Sequence, residues 1–216
     1  MTCTICENRK PKRFCPALHQ RICPQCCGEQ REVSLDCPST CVYLQQARQY
    51  EKPRPFEALD QSALFPAIDV GDQFLYEGRV LIGSFMFALA KSARADRNLV
   101  DLDLIGALTA LAKSYDTRVN AGLYYDPPLT SGMQQSIIAE LAAHLKEYRD
   151  AEQARFGVSR LRDSDVLKAL VVLVRIGHSR TSGRPKSRSF VDFVLEEMSE
   201  NPTAAPGETR SGLIVP

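Results

Sequence analysis

The sequence predicts a mostly α protein in two parts: a small Cys-rich N-terminal module over residues 1–50 and an antiparallel helical bundle over residues 71–199. Three observations lead there. All eight cysteines of the 216-residue chain fall within its first 41 positions. Beyond them, apolar residues recur at helical intervals in runs separated by Gly-, Pro- and Ser-containing turns. Trp is absent and aromatic residues make up 7%, which suits helices packed through Leu, Val, Ile and Ala better than a β-sandwich.

Apolar residues at 44% and charged residues at 25% are ordinary for a soluble globular protein. A formal charge of +1 excludes gross electrostatic targeting to nucleic acid or to a membrane, leaving only local patches to consider. The first apolar run is broken by Cys, Glu and Arg within the first ten residues, so no secretory signal is expected. The longest apolar run, Val80 to Ala90 between Arg79 and Lys91, is about half of what spans a bilayer. A cytoplasmic, non-membrane protein is expected. In a reducing compartment, clustered thiols point to metal ligation rather than to disulfides.

The cysteines are spaced Cys3-x-x-Cys6, Cys15, Cys23-x-x-Cys26, Cys27 and Cys37-x-x-x-Cys41. Two thiolates separated by two residues can both face one tetrahedral Zn2+ at about 2.3 Å, and four sulfurs close its coordination. Eight thiols thus make two four-thiolate zinc sites with none left over. An interleaved arrangement puts Cys3, Cys6, Cys23 and Cys26 on one ion and Cys15, Cys27, Cys37 and Cys41 on the other. A sequential arrangement groups Cys3, Cys6, Cys15 and Cys23, then Cys26, Cys27, Cys37 and Cys41. The interleaved one is preferred because the adjacent Cys26 and Cys27 point in different directions. His19 is an alternative to Cys27 as a ligand.

The local sequence agrees with ligation. "CPQCCG" has the composition of a tight knuckle turn whose amides can donate to sulfur. "DCPSTCVYLQQARQYE" reads as a helix start, with Pro38 in the first turn, Ser39 and Thr40 as capping types, and Val42, Leu44, Ala47 and Tyr50 at helical intervals. Cys37 and Cys41 then flank a helix N-terminus, where the dipole favours thiolates.

With its C-x-x-C, "KRFCPAL", "ICPQCC" and a cysteine pair entering a helix, the segment resembles the small cross-brace zinc fingers of the HIT and MYND types. It is also similar to the Cys-rich start of bacterial zinc-binding proteins of unassigned role. The resemblance covers about the first fifty residues. It departs from the fingers at Leu18 and in lacking a terminal His-and-Cys pair. It implies a zinc that does no chemistry and a module that serves protein–protein contact.

Rival chemistries fit less well. A thioredoxin-like dithiol needs a preceding strand in a βαβ context. A catalytic zinc needs an open position, which eight sulfurs do not leave. An iron–sulfur cluster would use only four of the thiols. Six basic residues (Arg9, Lys10, Lys12, Arg13, Arg21, Arg31) face four acidic ones over residues 1–41, formally +2. Two four-thiolate zincs bring the loaded module to about −2, so the basic residues have a role in neutralising the sulfur cages.

"EKPRPF" opens a linker over residues 51–70, since residues before Pro disfavour helix. "FLYEGRVLIGSFMFALAKSARA" is apolar on nearly all sides between Val80 and Ala90 and predicts a buried central helix, with Gly83 and Ser84 allowing close approach. The next helix carries the stripe Leu104, Leu108, Leu111 and Tyr115, with Asp101 and Asp103 in its first turn. "YYDPPLTSG" is a loop. Ser131 with Gln134 then caps a helix bearing Met133, Ile137, Leu141, Leu145 and Tyr148, which ends near Gly157. A fourth helix starts at an Asp163 cap and stops at Gly177. The short "FVDFVLEEMSE" follows, and residues 200–216 read as a disordered tail.

From Val166 to Val191 there is no acidic residue, while Arg175, Arg180, Arg184, Lys186 and Arg188 gather in "RIGHSRTSGRPKSRS". Such a stretch could hold phosphate through Arg forks and hydroxyls, and nucleic acid is a possible partner. A solvated connector complementing acids elsewhere in the fold is the plainer reading. No aromatic residue alternates with the basic ones, so a base-stacking platform is not supported. No His-x-x-x-His, Glu-x-x-His, G-x-S-x-G or phosphate-cradling Gly loop occurs, so no catalytic residue is assigned. The expectation is a non-enzymatic interaction or regulatory protein with a protein partner. The alternative is a nucleic-acid or phosphate binder using residues 175–188.

Overall fold

The structure, a computed structural model, describes residues 2–200. The described residues are mostly helical, with one two-stranded hairpin in the Cys-rich part. The tail expected beyond residue 200 lies outside the described residues.

In the N-terminal lobe, β1 (Arg13–Cys15) pairs antiparallel with β2 (Gln20–Ile22), Arg13 opposite Ile22 and Cys15 opposite Gln20. The "CPQCCG" stretch runs on from its knuckle into a short helix, α1 (Pro24–Gln30). Cys23 is its N-cap and Pro24 its first residue, a position where the missing N–H costs nothing. The next helix, α2 (Val42–Tyr50), begins later than expected. Residues Pro38 to Cys41 form a turn closed by the Cys41 amide on the Pro38 carbonyl (2.9 Å), and Cys41 becomes the N-cap.

Two short 3-10 turns, Phe56–Ala58 and Gln61–Leu64, occupy the segment expected to be a linker. Leu59 and Leu64 are buried there. The segment is fastened to the body: the Arg175 guanidinium donates to the carbonyls of Leu64, Phe65 and Ile68 at 2.8–3.0 Å. The body comprises α3 (Asp72–Glu77), α4 (Arg79–Ala95), α5 (Asp101–Ala121), α6 (Gly132–Phe156), α7 (Asp163–Arg180) and α8 (Ser189–Glu200). Its core joins Phe85 and Leu89 of α4, Leu104 and Leu108 of α5, Ile137 and Leu141 of α6, Val166, Leu170 and Val174 of α7, and Phe190, Val191 and Val194 of α8. A second, separate apolar cluster belongs to the lobe and consists largely of its cysteines with Ile22 and Leu35.

Five details differ from the expected elements. Helix α4 is covered on most sides, yet Val80 and Phe87 are exposed, and Phe87 meets the His144 ring edge-on at 5.4 Å. Gly83 permits no close approach, since a Cβ there would meet nothing within 4 Å. Helix α7 is capped by Arg162 rather than Asp163; the Asp165 carboxylate accepts the Arg162 amide, while Asp163 binds Arg118 and Arg149. Nor does α7 stop at Gly177. It runs on to Arg180, because Gly177 is a packing position where a Cβ would lie 2.8 Å from Ile105 Cγ1 and 3.1 Å from Phe190. The Ser131 hydroxyl does cap α6, accepting the Gln134 amide at 3.2 Å. The Gln134 side chain turns instead to Thr130, whose amide and hydroxyl donate to it at 3.0 Å.

Buried Asp101, in the first turn of α5, caps α8 as well: its carboxylate accepts from the Phe190 and Val191 amides (2.9 and 3.0 Å) and from the Ser187 hydroxyl (2.6 Å). Nearby, a buried carboxylate of the lobe meets the body. Glu32, 2% exposed, accepts from Arg48 (3.0 Å) and from the Ser182 hydroxyl (3.2 Å). Arg48 also binds Asp192 at 2.6 Å, which Ser39 reaches at 2.8 Å.

Candidate metal centre

Two short segments build the first thiol cluster. After Cys3 the chain turns back sharply, with the Glu7 amide donating to the Cys3 carbonyl (2.7 Å) and the Cys3 amide to Arg9 (2.9 Å). This places Cys3 and Cys6 on one side of the turn. Cys23 and Cys26, at the N-cap and in the first turn of α1, stand opposite them. The four Sγ atoms lie within 4.8 Å of one another, with Cys3, Cys23 and Cys26 buried. A zinc with four sulfurs at about 2.3 Å has S–S edges of about 3.8 Å, so little movement separates this cluster from a closed tetrahedron.

The surroundings favour thiolates. The Cys23 amide donates to Cys3 Sγ (3.2 Å) and the Cys26 amide to Cys23 Sγ (3.4 Å), while Arg9 approaches Cys23 Sγ at 3.9 Å. Burial pushes the Cys3 thiol up, but the amides of Cys6, Cys23 and Ile5 outweigh it and hold it down at about 6. Cys26 goes the other way. Burial first, then its crowding against Cys23, Cys6 and Cys3, push it up to about 12. A cation completing such a cluster would displace the protons that its thiols still carry.

No family model, curated protein or solved structure matches this chain. The reading of the site therefore rests on its chemistry.

The cluster is the set that the interleaved arrangement assigns to one ion. The sequential set is not assembled, because Cys15 ends β1 and faces elsewhere. Cys15, Cys27, Cys37 and Cys41 line a common cavity of about 10 Å³, closed by Leu35, Tyr43 and Leu44. That is room for about one small atom. Among the described residues only the first four thiols gather to within 4.8 Å; these four do not. Arg13 donates to Cys27 Sγ at 3.4 Å and lies over the Tyr43 ring at 4.7 Å. Burial pushes Cys37 up, with Cys41 and Cys15 adding to it against a lowering backbone hydrogen bond from Glu32. His19 stands exposed in the β1–β2 turn.

The basic stretch is largely engaged within the molecule. Arg175 holds the 64–68 carbonyls, and Arg184 donates to the carbonyls of Gly28 (3.1 Å) and Arg31 (2.6 Å). Lys186 pairs with Asp36 at 2.8 Å, and Arg188 donates to the carbonyls of Arg97 and Leu99. Arg180 alone of the five makes no hydrogen bond among the described residues; it lies over the Phe193 ring at 4.3 Å. Glu32, Arg48 and Asp192, which join lobe to body, carried no signal in the sequence. They lie far apart along the chain and fit no motif. No helix of the described residues is long and apolar enough to cross a membrane.

Proposed function

We propose that this is a zinc-binding, non-enzymatic interaction protein. Two structural four-thiolate zinc ions organise its N-terminal lobe, which is held on a helical body and offers a contact surface to a protein partner. The observation that carries this reading is the closed set Cys3, Cys6, Cys23 and Cys26, all sulfur and mutually within 4.8 Å. Four thiolates leave no coordination position for water or substrate, so the ion's work is structural. The common cavity shared by the other four cysteines supports a second ion there, around which the four sulfurs would draw together. We read the body as an antiparallel bundle in which the chain reverses between α5 and α6, which pack together, while the most extensive packing joins α5 to α7 and α4 to α6.

Exposed apolar side chains support the contact role. Phe14 and Leu18 of the hairpin, Val33, and Val42 at the start of α2 are all open to solvent on the lobe. The nucleic-acid reading of residues 175–188 has less support, since four of the five cations already hold carbonyls or a carboxylate.

Cobalt substitution of the full chain tests the metal reading. Replacing bound metal with Co2+ should give the intense visible bands of tetrahedral thiolate ligation, weakened in Cys26→Ser. An octahedral, pale spectrum would contradict it. Affinity capture from the protein's own cell extract, with Phe14→Asp/Val42→Asp as control, tests the contact surface. Identical capture by both forms would count against it.

A further inference from the structure

Where the lobe, the 51–70 segment and the body meet lies a half-open cavity of about 500 Å³. Its wall draws Arg48 from α2, Lys52 and Arg54 from the segment, Arg180 from the end of α7, and Arg184 from the loop before α8. Three carboxylates also line it, Glu51, Asp192 and Glu196. Arg48 and Asp192 neutralise one another, and Glu32 adds a second carboxylate to Arg48. The other four cations are not neutralised in this way. Arg54 donates to the carbonyls of His178 and Thr181, and Arg184 to those of Gly28 and Arg31; a carbonyl satisfies a guanidinium's geometry but not its charge. Lys52 and Arg180 make no hydrogen bond or ion pair among the described residues. Against these four cations stand Glu51, Glu196 and the second carboxylate on Arg48, Glu32, so the wall keeps a net positive charge.

The amides of Phe190 and Val191 are already taken by Asp101, so the side chains, and not the α8 terminus, make this site.

We infer that the cavity binds a phosphorylated small molecule larger than phosphate itself, about the size of a nucleotide. The phosphate oxygens supply acceptors for the charged heads of Arg180 and Lys52, and the dianionic charge meets the cations of the wall that no carboxylate pairs. A volume of about 500 Å³ is in the range of organic-ligand pockets and several times what a phosphate alone fills. Phe193 and Pro53 give the remainder an apolar wall, and Glu51 and Glu196 accept from hydroxyl or amino groups. Because the wall comes from all three parts of the chain, occupancy would fasten the lobe to the body. The site does not depend on the metal reading: none of its residues is a cysteine.

Titration calorimetry on the full-length protein as purified, at constant ionic strength set with chloride, tests this with pyrophosphate and ADP as probes. Both should bind saturably, one per chain, ADP at least as tightly as pyrophosphate. Arg180→Ala and Lys52→Ala should each weaken binding roughly tenfold to a hundredfold while leaving the thermal midpoint of the unliganded protein unchanged. Absence of saturable binding by both probes would overturn the inference. So would affinity unaffected by either substitution, or binding seen only with a single-stranded oligonucleotide, which would make the surface a polymer track.

Discussion

Gly83 and Gly177 show how differently two glycines within helices can serve. Gly83 sits in α4 with nothing within 4 Å of where a side-chain methyl would stand, whereas Gly177 in α7 lies against Ile105 and Phe190. Replacing Gly83 by Ala should stabilise the protein by up to about 1 kcal/mol, through helix propensity alone. Gly177→Ala should destabilise it by about 1–3 kcal/mol through overpacking. Urea titration of the two variants reads the opposite signs. His178 offers a pH-dependent counterpart. Burial, then the neighbouring Arg54, lower its pKa from 6.5, with Asp60 opposing. A histidine with a depressed folded pKa binds its proton more readily when unfolded. Its contribution is complete above the unfolded value and is lost as pH falls from about 6.5 through the folded value. Unfolding midpoints measured from pH 7.5 to 5 should therefore fall less steeply in His178→Gln than in the parent.

The elements differ in how they are held, and this sets what metal removal should do. The body owns a continuous core of Leu, Val, Ala and Phe from five helices. The lobe's apolar cluster is mostly cysteine, around a hairpin of three-residue strands and a seven-residue helix. Isolated elements this short are not stable in water, and in the proposed reading sulfur–metal bonds supply what packing does not. Chelation should expose the lobe to proteases, with cleavage before residue 50, while most of the far-UV helical signal persists. Loss of all helical signal in one transition would show that lobe and body fold as one unit. The helices themselves were readable in the sequence, because their stripes follow the 3.6-residue period. Leu104 and Leu108, Ile137 and Leu141, and the Ser131 cap all emerge from pattern alone. Ends were less readable: α7 continues past Gly177 for a tertiary reason, the approach of Ile105 and Phe190, which no local pattern encodes.

Across the whole molecule, the arithmetic of cysteines was legible and the docking was not. Spacing left two groupings open, and the adjacency of Cys26 and Cys27 favoured the one that brings Cys3, Cys6, Cys23 and Cys26 together, the four that gather in the structure. The basic stretch at 175–188 was visible too, but its partners were not. Arg184 meets carbonyls some 150 positions away, and Arg48 joins Glu32 to Asp192 across an even wider range of the chain. Such contacts follow from three-dimensional placement. Arg48→Met keeps the packing of the side-chain stem and removes both ion pairs, leaving Glu32 buried with the Ser182 hydroxyl as its remaining side-chain donor. It should lower stability by about 1–3 kcal/mol, read as a drop in the denaturant midpoint with unchanged metal content.

Native mass spectrometry of the protein, purified without added metal, bears most directly on the thiolate sites. Two zinc ions per chain are expected, falling to one in Cys6→Ala/Cys26→Ala while the other site keeps its ion. A chain that carries no zinc, or whose zinc is unchanged by that double substitution, would contradict the assignment of Cys3, Cys6, Cys23 and Cys26 as a metal centre.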